Sequence, residues 1–199
     1  MSGSVRDQTD VVSVKGVTVW FTGLPSSGKS TIARIVERQF RKWSLKVELL
    51  DGDVIRTNLS KGLGFSREDR GTNIKRVGFI CQLLSRNGVI AIASVISPYR
   101  EARDYNRRLI GNFVEVFVRA SIEECEKRDV KGLYKKAKAG EIQEFTGVND
   151  PYEEPLNAEV ICDTEDESAE QSAEKVIRRL NELGYIAFNG SKAGRGTPC

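Results

Sequence analysis

The chain has 199 residues, 39% of them hydrophobic and 30% charged, which suits one globular domain at about 150 residues per domain and is too apolar for a disordered chain. Its 31 Lys and Arg against 28 Asp and Glu leave a net charge of +3, too small to argue for wholesale nucleic-acid binding. There is no histidine, so a Ser-His-Asp triad, an imidazole base and every metal centre built on imidazole are excluded, and acid-base work falls to carboxylates.

Residues 1–15 read as a polar tail without the apolar stretch of a signal peptide. Residues 17–22 are β-branched and aromatic and read as a strand. A glycine loop follows, and then Ile32, Ile35, Val36, Phe40 and Trp43 recur at helical spacing. Residues 47–50 form a second predicted strand, running directly into Asp51-Gly-Asp53. Ile74, Val77, Gly78, Cys81 and Leu84 mark the buried stripe of a long helix that stops near Asn87-Gly88. Residues 89–95 read as a third strand, buried on both faces. The apolar run there, residues 89–96, falls far short of the ~20 residues that cross a bilayer, so no membrane partner is expected.

Arg100, Arg103 and Arg107 share one helix face and read as solvated charges. Residues 113–118 and, more weakly, 158–162 supply a fourth and a fifth strand. A last helix carries Ala169, Ala173, Val176, Ile177, Leu180 and Leu183 on one side and stops at Gly184. Residues 188–199 read as a second tail, leaving one domain over residues 16–187. Within it, residues 129–155 are lysine-rich and lack an apolar period, the mark of a lid. The widely spaced Cys81, Cys125, Cys162 and Cys199 contain no C-x-x-C and read as reduced thiols of a soluble cytoplasmic protein.

Alternating strands and helices predict an α/β fold with crossover helices on a parallel sheet. The loop Gly23-Leu-Pro-Ser-Ser-Gly28-Lys29-Ser30 fits G-x-x-x-x-G-K-[ST] and sits between a strand and a helix, the context that gives the motif meaning. The fold class is therefore a P-loop NTPase-like, doubly wound parallel sheet of about five strands flanked by helices. Main-chain amides over Gly23, Ser26, Ser27, Gly28, Lys29, Ser30 and Thr31 are expected to cradle a triphosphate. Lys29 would sit between the β- and γ-phosphates, and the Ser30 hydroxyl would take one position on Mg²⁺.

The third strand ends in Ser94-Val-Ile-Ser97 without the usual metal-holding carboxylate, and no N-K-x-D motif supports a GTPase. Asp51-Gly-Asp53 offers the missing acids at the carboxyl edge of the sheet: Asp51 for a Mg²⁺-bound water, Asp53 to accept the proton of an attacking hydroxyl. The plainer alternative is an Asp-Gly turn whose aspartate caps a helix.

Taken together, the phosphate loop, Asp51-Gly-Asp-Val-Ile-Arg56, Phe65-Ser-Arg-Glu-Asp-Arg70 with Asn73, Ile96-Ser-Pro-Tyr-Arg100, Lys131-Gly-Leu-Tyr-Lys-Lys136, Phe145-Thr-Gly147 and Asp150-Pro-Tyr152 resemble the adenylylsulfate kinase family. The resemblance covers residues 17–157 and implies transfer of the ATP γ-phosphoryl group to the 3′-hydroxyl of adenylyl sulfate, with Mg²⁺ as cofactor. It places Phe65 and Phe145 around the substrate adenine, Arg56, Arg70 and Asn73 on the phosphosulfate, and Ile96 and Ser97 against the substrate. Ser97, just before Pro98, is expected to present its backbone and hydroxyl to the site, and direct in-line transfer is preferred to a Ser97 phosphoenzyme because no base adjoins it.

Lys131 is expected to reach substrate phosphate, with Arg128 and Cys162 beside the ATP. Two departures from the family pattern stand out: Glu144 replaces a glycine before Phe145, and Gly71-Thr72 replaces a bulkier, more acidic pair. The resemblance leaves a homodimer open. Two other functions compete with the family activity, another small-metabolite kinase (gluconate or nucleotide) and a non-catalytic nucleotide-binding partner of a sulfurylase.

Overall fold

The computed structural model describes residues 11–188. Within them the chain runs through β1 (Val11–Val14), β2 (Val17–Thr22), α1 (Lys29–Lys42), β3 (Val47–Asp51), α2 (Gly52–Asn58), α3 (Arg67–Arg86), β4 (Ile90–Ser94), α4 (Arg100–Ile110), β5 (Phe113–Arg119), α5 (Ile122–Arg128), α6 (Leu133–Lys138), β6 (Val160–Asp163), α7 (Ala169–Glu182) and β7 (Ile186–Phe188).

Five strands pair in parallel in the order β3-β4-β2-β5-β6. Strand β2 is central, with β4 on one side and β5 on the other, so the loop that leaves it opens into the crevice where the chain changes direction across the sheet. The expected fold class and all five expected parallel strands are present. Side chains alternate between two core layers. Val17, Val19 and Phe21 join Ile90, Ile92, Val114 and Val116 under α1 and α7, while Trp20, Ala91, Ala93 and Phe113 face α3 and α4.

Two differences concern the ends and the arginines. The sequence places residues 11–14 in a tail, but β1 pairs antiparallel with β7, Val14 opposite Ile186, so the folded unit begins earlier than residue 16. A four-residue strand whose partner lies some 170 residues away has no local signature. The rest of both expected tails, residues 1–10 and 189–199, lies outside the described residues.

The second difference is a correction. Arg103 is not solvated: it is 2% exposed, and its Nε lies 2.9 Å from Oε1 of Glu115, which is itself buried in β5. Arg107, partly buried, bridges Glu115 at 3.2 Å and Glu159 at 2.6 Å. A carboxylate in the middle of a buried apolar strand needs a cation beside it, and α4 supplies two.

The expected lid carries a small core of its own, in which Tyr134, Ala137 and Phe145 pack with Cys125. Among the described residues no helix is long and apolar enough to cross a membrane.

Candidate active site

Left-handed backbone shapes the phosphate loop. Gly23 has φ +153° and Gly28 φ +99°, and a Cβ on Gly23 would come within 2.4 Å of the Val118 carbonyl oxygen. Ser26 takes φ +61° without being glycine, and the Ser27 amide closes the turn on the Leu24 carbonyl at 3.2 Å. Gly28 is the N-cap of α1 and has no side chain to cap it, so the first-turn amides of Lys29, Ser30 and Thr31 keep their hydrogen-bonding capacity for an anion.

Lys29 folds back over the loop. Its ammonium donates to the carbonyls of Gly23 (3.0 Å) and Leu24 (2.6 Å) and lies 3.4 Å from Ser27 Oγ. Burial pushes its pKa down to about 8, while the Cys125 thiol and the Asp51 carboxylate pull the other way. The ammonium is held where phosphate oxygens would replace those carbonyls.

Ser30 Oγ lies 3.1 Å from Ser94 Oγ, and Ser94 stands in register with Asp51 on the next strand. Thus the acid missing from β4 is supplied one strand away. Asp51 is buried, accepts the Asp53 amide at 3.1 Å as the N-cap of α2, and lies 3.5 Å from Arg34. It is therefore the cap of α2, with its carboxylate on the Ser30 side of the sheet edge. Ser30, Thr31, Arg34, Asp51, Asp53 and Lys131 line one open cavity of about 460 Å³.

Asp53 and Lys131, 78 residues apart in the chain, form an ion pair over this cavity, both largely exposed. One hydroxyl and one buried carboxylate fit a Mg²⁺ that keeps most of its waters. Among the described residues no group of three or more His, Cys, Asp or Glu is arranged to hold a metal ion.

On the acceptor side, Phe65 is 53% exposed and the Arg56 guanidinium lies over its ring at 4.5 Å. Arg56 also donates to the Gly64 carbonyl at 2.8 Å. Arg70 is buried; it donates to the Phe65 carbonyl at 2.7 Å and to the Glu144 carbonyl, and its Nε lies 3.6 Å from Asp150. It therefore ties both phenylalanine-bearing segments together. Asn73 is buried, and its Oδ1 has no hydrogen-bond partner among the described residues. Such an orphan acceptor suits a ligand donor. Glu144 sits at φ +55°, which accounts for glycine being the residue expected there.

Two expected assignments fail and one is qualified. The Ser97 hydroxyl does not face the site: it is 1% exposed, accepts from Trp20 Nε1 at 3.1 Å and donates to Thr22 Oγ1 at 2.9 Å. Its carbonyl receives Arg103 at 2.6 Å, so Ser97 is an anchor of the turn, and the phosphoenzyme alternative loses its nucleophile. Cys162 does not line a nucleotide pocket either. It is fully buried under α7, and burial pushes its thiol up to about 12.

The residue of that segment which does reach the phosphate loop is Thr164, whose hydroxyl donates to the Ser27 carbonyl at 3.0 Å and receives Arg128 at 2.9 Å. Arg128 is thus linked through Thr164 to the phosphate loop. Phe145 is only 8% exposed, packed in the lid core rather than open. Ile96 is partly buried, and its carbonyl accepts Thr22 Oγ1 at 2.7 Å.

Sequence reasoning missed Ser94, Arg34, Tyr134 and Arg103. Only Arg103 had a signal: Glu115 inside an apolar strand demands a buried cation.

A family model described as adenylylsulphate kinase matches residues 15–163. The chain belongs to this family. It is 59% identical to the adenylyl-sulfate kinase of Rippkaea orientalis over 173 residues, covering 87% of this chain and 96% of that protein. The Mycobacterium tuberculosis APS kinase CysC in complex with AMPPNP and APS is 40% identical, covers 85% of this chain and 99% of that one, and superposes with a TM-score of 0.82. A gluconokinase from Sinorhizobium meliloti, at 16% identity, 86% and 95% coverage and a TM-score of 0.58, shares the fold alone. Membership makes the chain an ATP-using kinase that phosphorylates an alcohol group. The gluconate-kinase, nucleotide-kinase and non-catalytic alternatives are thereby set aside.

Proposed function

We propose that the chain transfers the γ-phosphoryl group of ATP to the ribose 3′-hydroxyl of adenylyl sulfate, giving 3′-phosphoadenylyl sulfate and ADP, a step of sulfate assimilation. The observation that carries the residue roles is the convergence of Asp53, Lys131, Ser30 and Asp51 on one cavity at the mouth of the phosphate loop.

The loop amides and Lys29 hold the β- and γ-phosphates, and Arg128 with Thr164 closes the nucleotide side. Ser30 and, by way of a water, Asp51 are the residues that would hold Mg²⁺, which would supply positive charge against the phosphates. Asp53 accepts the proton of the 3′-hydroxyl as its oxygen bonds to the γ-phosphorus and the bond to the β–γ bridging oxygen breaks. Lys131, paired with Asp53 before substrate arrives, turns to the incoming phosphate and leaves the carboxylate free.

Arg56, Arg70 and the Nδ2 amide of Asn73 donate to the phosphosulfate oxygens, Phe65 and Phe145 take the adenine between them, and the Ile96-Ser97 backbone walls the pocket. Residues 11–188 act as one kinase domain whose lid spans residues 129–155 and excludes water. Incubation with Mg-ATP and adenylyl sulfate, gluconate or a nucleoside monophosphate tests the assignment. ADP should appear with adenylyl sulfate; ADP release with another acceptor but none with adenylyl sulfate would overturn it.

A further inference from the structure

The lid and the phosphate loop share one buried side chain. Tyr134 of α6 is 1% exposed, and its ring meets that of Phe145 edge-on, centroids 4.9 Å apart at 80°. Its hydroxyl donates to the Pro25 carbonyl, inside the phosphate loop, at 3.1 Å. Leu24, next in the same loop, packs on this cluster, and a Cβ at Gly147 would come within 3.0 Å of the Leu24 side chain.

The peptide that receives Tyr134 directly follows the two that Lys29 restrains. The Lys29 ammonium is held on the Gly23 and Leu24 carbonyls, directly before Pro25. Phosphate oxygens that draw the ammonium away release the Leu24 carbonyl and reset the Leu24-Pro25 segment. A buried tyrosine hydroxyl follows its acceptor, because leaving it unpaired is costly. The attached ring then moves against Phe145.

We propose that Tyr134 is a positioning residue that couples nucleotide occupancy of the phosphate loop to the aromatic slot for the acceptor base. The inference deepens the proposed function and rests on Phe145 being part of that slot. Losing the hydroxyl while keeping the ring removes the coupling and leaves the packing in place.

The test is calorimetric titration of the full chain with adenylyl sulfate, with and without saturating Mg-ADP, which blocks turnover. For the unaltered protein Mg-ADP should change adenylyl sulfate affinity roughly fivefold or more, the lower end of measured coupling. In Tyr134→Phe the change should shrink below about twofold, in a protein that stays folded and still binds Mg-ADP. Full coupling in Tyr134→Phe overturns the inference, as does an equal loss of affinity with and without Mg-ADP, which marks a role in lid shape alone. Absence of coupling in the unaltered protein overturns it too. Phe145→Ala separates the two levels: adenylyl sulfate affinity unchanged there refutes the slot itself, whereas weakened affinity beside full coupling in Tyr134→Phe refutes only the role of Tyr134.

Discussion

The ammonium of Lys131, in the lid, is ion-paired with the carboxylate of Asp53, at the start of α2 beyond the second parallel strand. Both side chains are more than half exposed, so the pair contributes little to stability, and its significance lies in where it sits. It brings together two groups with distinct expected roles, one on the acceptor hydroxyl and one on phosphate.

Asp53→Asn keeps the size and removes the proton acceptor. Its kcat should fall by ~10² or more, the usual weight of a positioned base, while ATP affinity stays close to that of the unaltered protein. Steady-state rates with both substrates varied decide it; near-normal turnover would reject the role of Asp53.

The acidity of Lys29 gives a pH dependence with a defined sign. In the free protein burial holds its pKa down to about 8, and bound phosphate favours the ammonium and raises it again. Below that pH the ammonium is already present and binding takes up no proton at this site. Above it, each binding event must capture one proton, so ATP affinity should weaken as pH rises from 8 towards the pKa of the complex. Titration across this range in two buffers of different ionisation heat measures the uptake, and a flat affinity with no uptake would contradict it.

Phe65 gives a cleaner test of the aromatic slot than Phe145. Phe145 is buried in the lid core, so Phe145→Ala should also cost about 3–5 kcal/mol of local packing. Phe65 is half exposed, and Phe65→Ala should raise the KM for adenylyl sulfate well above any change in the ATP KM, with the melting temperature preserved. Equal rises in both KM values would count against the slot.

Arg103→Met should destabilise the domain by about 3 kcal/mol, because it strips Glu115 of a buried partner and leaves the carbonyls of Ser97 and Glu153 without their donors. Urea unfolding monitored through the fluorescence of Trp20 and Trp43 reads this loss directly. An unshifted midpoint would show that Arg107 alone satisfies Glu115.

The five parallel strands, the order of elements and the phosphate loop were legible because each rests on a local pattern: continuous β-branched runs, apolar residues at helical spacing, and glycines where the backbone must turn left-handed. The same locality explains the errors. Arg103, three residues from Arg100 and four from Arg107, looks like any exposed helical face until Glu115 of the neighbouring strand is packed against it. Cys162 and Ser97 lie at strand ends where ligand contacts are common, yet the alternation of side chains and the turn geometry aim both inwards.

Sequence alone determined that a glycine-rich phosphate loop joins a strand to a helix, and which acids, arginines and phenylalanines accompany it. Tertiary structure alone decided which of them face the cavity. It set Asp53 against Lys131, placed Ser94 and Asp51 on adjacent strands beside Ser30, and hung Tyr134 from the Pro25 carbonyl. Side-chain direction depends on strand register and on partners far away in the chain, and those are fixed only when the layers of the fold pack together.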